Sequence, residues 1–195
     1  MAESRLLDAD DSLLVVVDVQ ERFLDKLPHA ESALLLERIR WLVGVARWAH
    51  IPRVFTAENV AGNGPVHPSL ADDLEAETQC YDKEHFALSE QPDIMRAVHS
   101  TGRRTAVLAG LETDVCVSQS AIGLVDQGYR VAVVADAVGS PGPDHAYGLQ
   151  RMRAAGIVVV GLKGLFYEWM RTVARSKQFH AECDDVMPTP SGVRL

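Results

Sequence analysis

A cysteine, an aspartate and a lysine in this chain could together form an activated thiol. Cys116 follows the apolar run 105–109 and opens a stretch in which apolar residues recur at helical spacing. A helix N-terminus favours thiolate over thiol, so this position predicts a pKa below the usual value of about 8.5. A lone cysteine is often a small buried hydrophobe instead, and position alone leaves both interpretations open.

The two partners that a nucleophilic thiol needs are Asp18 and Lys83. Asp18 ends the first apolar run, and the alternative to a catalytic role is that it caps the next segment. Lys83 follows the short run 79–82, and the alternative there is an ordinary surface lysine. Because ligands bind where the carboxyl ends of strands meet in a doubly wound sheet, we expect the three side chains to converge. A carboxylate base, a cation and a thiol are the parts of a nucleophilic catalyst.

The elements that must position these residues alternate between strand and helix. Short β-branched runs predict six buried strands, and apolar stripes of 3.6-residue spacing predict the helices between most of them. This pattern predicts a single domain, 1–195, with a three-layer α/β/α architecture: a doubly wound, Rossmann-like sheet of six mainly parallel strands. The predicted strands are 13–17, 53–56, 79–82, 105–109, 130–135 and 157–160, and the main helices are 31–50, 92–101, 116–127, 144–155 and 165–174.

Composition excludes several classes of function. The net charge is −8, with 19 Lys and Arg against 27 Asp and Glu, which argues against nucleic acid or an anionic membrane as partner. Three scattered cysteines without C-x-x-C spacing indicate a reduced, cytoplasmic protein. The sequence predicts no secretory signal and no membrane span. The first strand is not followed by a glycine-rich phosphate loop, which disfavours a dinucleotide or flavodoxin-like cofactor binder.

Three blocks of the chain resemble the isochorismatase-like hydrolases, a family of cysteine hydrolases that includes nicotinamidases and carbamoylsarcosine amidohydrolase. The blocks are LVVVDVQERF at 14–23, DKEHFAL at 82–88 and GLETDVCV at 110–117. The resemblance implies a catalytic triad of the aspartate, lysine and cysteine already named. It also implies a cis peptide bond between Leu111 and Glu112, which turns the backbone amides of Glu112 and Cys116 inward as an oxyanion hole.

The segment after the second strand departs from the nicotinamidase branch, in which an Asp and two His residues bind a metal. TAENV at 56–60 stands there instead, and His67 is the only histidine in the loop that follows. Because a metal such as zinc needs three or more protein ligands, we expect a member of the branch that lacks the metal site, with no cofactor. Ala87 stands where the family often has Ser, so a non-catalytic binding protein on the same fold remains an alternative.

The expected activity is cleavage of a C–N bond in a small amide through a thioester on Cys116. Asp18 would act as acid and base, and Lys83 would hold Asp18 in place and stabilise the thiolate. An isochorismatase-type hydrolysis of a vinyl ether, which needs an acid but no thiol, is the alternative.

Further residues are expected to shape a pocket and an assembly. The aromatic residues near the three blocks are predicted to line a small, mainly apolar substrate pocket; they are Phe23, Tyr81 and Phe86. Trp41 and Trp48 share one helix face, which indicates core or a subunit interface. The polar segment 175–195 is predicted to be a tail, or an arm that wraps a partner subunit. We therefore expect a homo-oligomer.

Overall fold

Six parallel strands form the centre of the computed structural model, which describes residues 5–74 and 79–195. Every neighbouring pair of strands is parallel. In space the strands follow the order β3-β2-β1-β4-β5-β6, which is the doubly wound order of Rossmann-like folds. The predicted architecture is confirmed. The strands are β1 (Ser12–Val17), β2 (Arg53–Glu58), β3 (Cys80–Lys83), β4 (Thr105–Leu111), β5 (Arg130–Gly139) and β6 (Val158–Val160).

Helices cover both faces of the sheet. One face is packed by α2, α7 and α8, and the other by α4, α5 and α6. None of the described helices combines the length and the apolar character that a membrane span needs. The helices are α1 (Glu21–Leu24), α2 (His29–Trp48), α3 (Val60–Asn63), α4 (Pro92–Ser100), α5 (Ser118–Asp126), α6 (Asp144–Ala154), α7 (Leu162–Met170) and α8 (Val173–Cys183), with short 3₁₀ turns at Ala9–Asp11, Pro68–Asp73 and Leu88–Glu90.

The central strand β1 shows why the sheet needs both layers. All six of its residues are buried. Leu14 and Val16 point into the core under α2, whereas Val15 and Val17 point into the core under α4 and α5. Each fully buried Val or Leu side chain contributes about 1.5–3 kcal/mol, so a strand with no polar face is stable only between two helical layers.

The C-terminal segment corrects one prediction. Of the segment 175–195 predicted to be a tail or arm, residues 175–183 belong instead to helix α8, which packs on the chain's own core, and residues 184–195 follow the helix. Its buried residues Ser176, Phe179 and Cys183 recur at helical spacing. The Phe179 ring lies 5.9 Å from the Trp41 ring and 5.3 Å from the Trp48 ring, so both tryptophans have an intramolecular partner. A single aromatic among polar residues was too weak a signal to predict this helix.

Four strands extend further toward their carboxyl ends than the sequence pattern indicates, among them β5, which continues to Gly139 rather than residue 135. β2 continues to Glu58 rather than residue 56, β3 includes Lys83, and β4 runs on to Leu111. The ladder explains the extension, because Glu58 pairs in register with Lys83 across the two strands. The sequence pattern placed Glu58 in a loop. The pairing with Lys83 instead places its carboxylate at the edge of the sheet where the predicted catalytic residues meet.

Candidate active site

A buried ion pair joins the ends of β1 and β3. Asp18 is the first residue after β1, and Lys83 is the last residue of β3. Nζ of Lys83 lies 3.0 Å from Oδ2 of Asp18, and both side chains are fully buried. Oγ1 of Thr56, on the strand between them, donates a 2.7 Å hydrogen bond to Oδ1 of Asp18. Because a buried charge must be paired, this carboxylate and ammonium depend on each other.

The Lys83 ammonium is the centre of the site. It donates to the carbonyl oxygens of His85 at 2.7 Å and Phe86 at 3.3 Å, which fixes the position of Nζ. Nζ also lies 3.7 Å from Sγ of Cys116 and 3.8 Å from Oε2 of Glu58. One cation therefore faces two carboxylates and a thiol, and it can stabilise negative charge that forms on any of them.

Cys116 lies in a wide π-type turn, Thr113–Val117, that joins β4 to α5. The carbonyl oxygen of Glu112 accepts hydrogen bonds from the amides of Val115 and Val117, the residues on either side of Cys116. The peptide bond between Leu111 and Glu112 is cis. The thiol therefore lies in a turn at the carboxyl end of β4, a central strand of the sheet.

Two glycines allow this turn to lie close to its neighbours. Gly110 has a φ of 125°, and a Cβ there would collide with the carbonyl oxygen of Val17 on β1. A Cβ on Gly148 of α6 would lie 2.8 Å from Cα of Asp114 in the turn. Glycine at both positions brings β4 against β1 and α6 against the turn, which fixes Cys116 beside the Asp18–Lys83 pair.

The protonation equilibria of the site favour a neutral thiol at rest. Burial raises the pKa of the Cys116 thiol, and the charge of Asp18 raises it further, more than Lys83 lowers it. Burial also raises the pKa of Asp18, against the opposing effects of Lys83, Thr56 and the thiol. The lowered thiol pKa predicted from a helix start is therefore wrong. The Cys116 residue is only 3% exposed, and this desolvation is the largest cause of the raised pKa.

Glu58 is a member of this cluster that the sequence analysis missed. Its Oε2 lies 3.0 Å from Sγ of Cys116 and accepts a hydrogen bond from the thiol. The side-chain amide of Gln20 holds Glu58 in place: Oε1 accepts from the Glu58 amide at 2.7 Å, and Nε2 donates to the Glu58 carbonyl at 3.0 Å. The available signal was its position two residues after Thr56, on the same side of the extended strand.

The carboxylates and the thiol also form the one group of potential metal ligands found among the described residues. Oxygen atoms of Asp18 and Glu58 and Sγ of Cys116 lie within 4.8 Å of one another. Lys83 already offsets one of the two carboxylate charges, and a divalent cation there would lie against its ammonium. The donor set therefore suits a lysine better than a metal. His67, the histidine considered in the sequence, instead caps the turn Pro68–Asp73 and contacts Ser69 at 2.8 Å.

The three aromatic residues predicted to line a pocket lie in different places. Phe23 is buried, with the ammonium of Lys26 4.8 Å from its ring, and Lys26 in turn pairs with Glu112 at 3.0 Å. Phe86 contributes its carbonyl oxygen to Lys83, while its side chain is exposed. Tyr81 lines a separate cavity of about 560 Å³ with residues at the amino end of β2. A substrate pocket shared by the three aromatic residues therefore stays a prediction.

Comparison with known proteins identifies the family. The isochorismatase domain profile matches residues 12–163. Isochorismatase domain-containing protein 2 of Xenopus laevis is 31% identical over 160 residues, covering 80% of this chain and 75% of the relative. YcaC from Pseudomonas aeruginosa, solved with hexane-2,5-diol and covalent acrylamide, superposes with a TM-score of 0.81 at 26% identity, over 88% of this chain and 86% of that one.

A second solved structure shares the fold. The ycaC gene product of Escherichia coli, an octameric hydrolase of unknown specificity, superposes with a TM-score of 0.84 at 24% identity, over 95% of this chain and 94% of that one. The matched profile spans all six strands and the three blocks that carry the cysteine, lysine and aspartate. The chain belongs to the isochorismatase family of hydrolases, the family that its three sequence blocks resemble.

Proposed function

We propose that this protein hydrolyses the C–N bond of a small amide through a thioester on Cys116. The observation that carries the proposal is the position of Sγ, 3.7 Å from the Lys83 ammonium, at the end of a buried Asp18–Lys83 ion pair. A thiol that merely filled the core would not need a buried cation beside it. The proposed catalytic triad is Asp18, Lys83 and Cys116.

The first step forms the nucleophile and the thioester precursor. Apart from the adjacent Lys83 ammonium, no described residue offers a hydrogen-bond donor of good geometry to Oδ2 of Asp18, so this oxygen has room for the thiol proton. As the S–H bond breaks and an O–H bond forms on Asp18, Lys83 stabilises the thiolate. The sulfur then attacks the amide carbonyl, and the backbone amides of Glu112 and Cys116 are proposed to bind the oxyanion. Each such donor is worth about 10²–10³-fold in rate.

The second half of the reaction returns the site to its resting state. Asp18 gives its proton to the amine as the C–N bond breaks, which leaves an acyl group on sulfur. A water then loses a proton to Asp18 and attacks the thioester carbonyl. Cleavage of the C–S bond releases the carboxylic acid, and the sulfur regains its proton from Asp18. The raised pKa of Asp18 suits a group that must both accept and donate a proton.

The relatives support the chemistry and suggest an assembly. The P. aeruginosa relative holds covalent acrylamide, which adds to nucleophiles through its carbon–carbon double bond, so it supports a reactive nucleophile in that protein rather than amide cleavage. The E. coli relative is octameric, and we propose that this chain also forms a homo-oligomer. All three cysteines are free, which supports a reducing compartment such as the cytoplasm. We propose that the reaction needs no metal or other cofactor, since Lys83 supplies the positive charge.

A panel of small primary amides, ureas and N-substituted amides, assayed for release of ammonia or amine, tests this function. Wild type should turn over at least one member, and Cys116→Ala and Asp18→Asn should each abolish that turnover. A parallel assay with vinyl ethers addresses the alternative activity, which needs no thiol. Vinyl-ether cleavage that survives in Cys116→Ala would overturn the amidase proposal.

A further inference from the structure

The charges of the candidate site do not cancel. At rest the thiol is neutral, the Lys83 ammonium balances Asp18, and the Glu58 carboxylate is left over. Transfer of the thiol proton to Asp18 moves charge within the site but leaves the sum unchanged. Among the described residues, Lys83 is the only cation within 4.0 Å of the Glu58 carboxylate. The site therefore keeps about one net negative charge through the proposed reaction.

Glu58 is also the member of the cluster that faces the outside. Its side chain is 17% exposed, whereas those of Lys83 and Asp18 are fully buried. A molecule that reaches the sulfur comes close to this carboxylate, because Oε2 lies 3.0 Å from Sγ of Cys116. Charge at the rim of a low-dielectric cleft acts strongly on what can enter.

The carboxylate is held in place and still has capacity to bind a ligand. Oε2 accepts from the thiol, and Oε1 accepts a long hydrogen bond of 3.3 Å from Nδ2 of Asn63. The same Asn63 amide donates to the Glu58 carbonyl at 3.1 Å, and Gln20 fixes the backbone on the other side. A carboxylate offers about four acceptor positions, so two remain for a substrate.

We infer that Glu58 determines specificity by selecting substrates that carry an ammonium or guanidinium group close to the scissile carbonyl, and by repelling anionic ones. The inference rests on the proposed thioester chemistry, in which the substrate carbonyl carbon is bonded to sulfur. A cationic group near that carbon would lie within reach of the Glu58 oxygens and would neutralise the excess charge. A carboxylate substituent at the same place would face Glu58 with no cation to offset it.

Thiol reagents of different charge test the inference without a known substrate. Methanethiosulfonates transfer an alkylthio group to a thiolate, forming a disulfide and releasing methanesulfinate. The rates at Cys116 would be measured by peptide mass mapping for the aminoethyl cation, the neutral methyl compound and the sulfonatoethyl anion. The ratio of cation to anion rates is the readout, because any change in thiolate fraction cancels from it.

Three variants separate the specific effect from general charge. Glu58→Gln keeps the shape and removes the charge, and it should lower the cation-to-anion ratio about tenfold or more, since one charge at contact distance is removed. Glu58→Asp keeps the charge and should retain most of the preference. Glu84→Gln removes an exposed carboxylate next to Lys83 in sequence and should leave the ratio within about twofold, as screened surface charges do.

The outcomes distinguish this inference from the proposed function. An unchanged ratio in Glu58→Gln, or an equal fall in Glu84→Gln, would overturn the specificity role while Cys116 remained reactive. Failure of every reagent to modify Cys116, with Cys80 or Cys183 modified instead, would overturn the nucleophile itself and the inference with it.

Discussion

Replacing Lys83 with methionine should expose the dependence of the fold on its buried ion pair. Methionine keeps most of the length of the side chain and removes the charge. Asp18 would then be fully buried without the cation that pairs with it, although Thr56 would still donate a hydrogen bond to it. The expected result is a large loss of stability at neutral pH as well as loss of any amidase activity.

The size of the loss follows from the geometry. At the 3.0 Å separation of Nζ and Oδ2, Coulomb's law with an effective dielectric constant of about 20 gives roughly 5–6 kcal/mol of attraction. Removal of one partner from a buried pair typically costs about 3–5 kcal/mol, because the other charge stays buried. We therefore expect Lys83→Met to lower the free energy of unfolding by about 3–5 kcal/mol at pH 7.

The loss of unfolding free energy in Lys83→Met should depend on pH. Burial raises the pKa of Asp18, and loss of Lys83 removes the main influence that lowers it. A carboxyl whose native pKa is raised stabilises the fold below its unfolded pKa of about 3.9 and loses that contribution as pH rises through the native value. The deficit of Lys83→Met should therefore be smallest in acid and grow as pH rises.

Urea unfolding at fixed protein concentration measures these free energies. Lys26→Met is the matched control, since Lys26 pairs with Glu112 at the same 3.0 Å but is 43% exposed, and it should cost about 1 kcal/mol at most. The double variant Asp18→Asn/Lys83→Met should recover most of the lost stability. Equal costs for the two lysines, or a double variant less stable than Lys83→Met, would refute this reasoning.

Other expectations follow from the same structure. Burial raises the pKa of Cys116, and it raises the pKa of Cys80 to about 11. The stability that these thiols contribute should therefore be lost as pH rises above about 8.5. Cys116→Ala should reduce that loss, measured by urea unfolding from about pH 8 to 10. Excess chelator should leave turnover of an amide found in the panel unchanged, and activity restored by added zinc would contradict this. Gly110→Ala should destabilise by more than 1 kcal/mol, because its Cβ meets the Val17 carbonyl, while Gly164→Ala inside α7 should be tolerated in thermal unfolding.

The strands and the convergence of three side chains could be predicted from sequence for a simple physical reason. A strand buried on both faces must be a continuous apolar run, as in β1, and such runs mark their own ends. Asp18 directly follows such a run, and Cys116 comes five residues after the end of another, β4. Lys83 ends β3, which is short and only partly buried, so its place in the site was predicted only from its position at the carboxyl end of a strand.

What the sequence could not reveal depends on contacts between distant segments. Glu58 entered the site because the ladder with β3 extends β2 by two residues, into a stretch whose glycines and prolines indicate a loop. The pKa of Cys116 is raised rather than lowered because burial and the charge of Asp18, which no local pattern encodes, outweigh the effect of Lys83. Tyr81 pairs with Thr56 in the ladder, yet its side chain lines a cavity together with Arg53 and Val54, and no local pattern encodes that contact.

Detection of an acyl group on Cys116 tests the central claim most directly. An amide that the protein turns over would be mixed with wild type, quenched in acid within the first turnover, and analysed by intact mass and peptide mapping. We predict a mass increase equal to the acyl group, located on the peptide that contains Cys116 and absent from Cys116→Ala. Turnover that continues in Cys116→Ala, with no adduct on the wild-type peptide, would contradict the proposed mechanism.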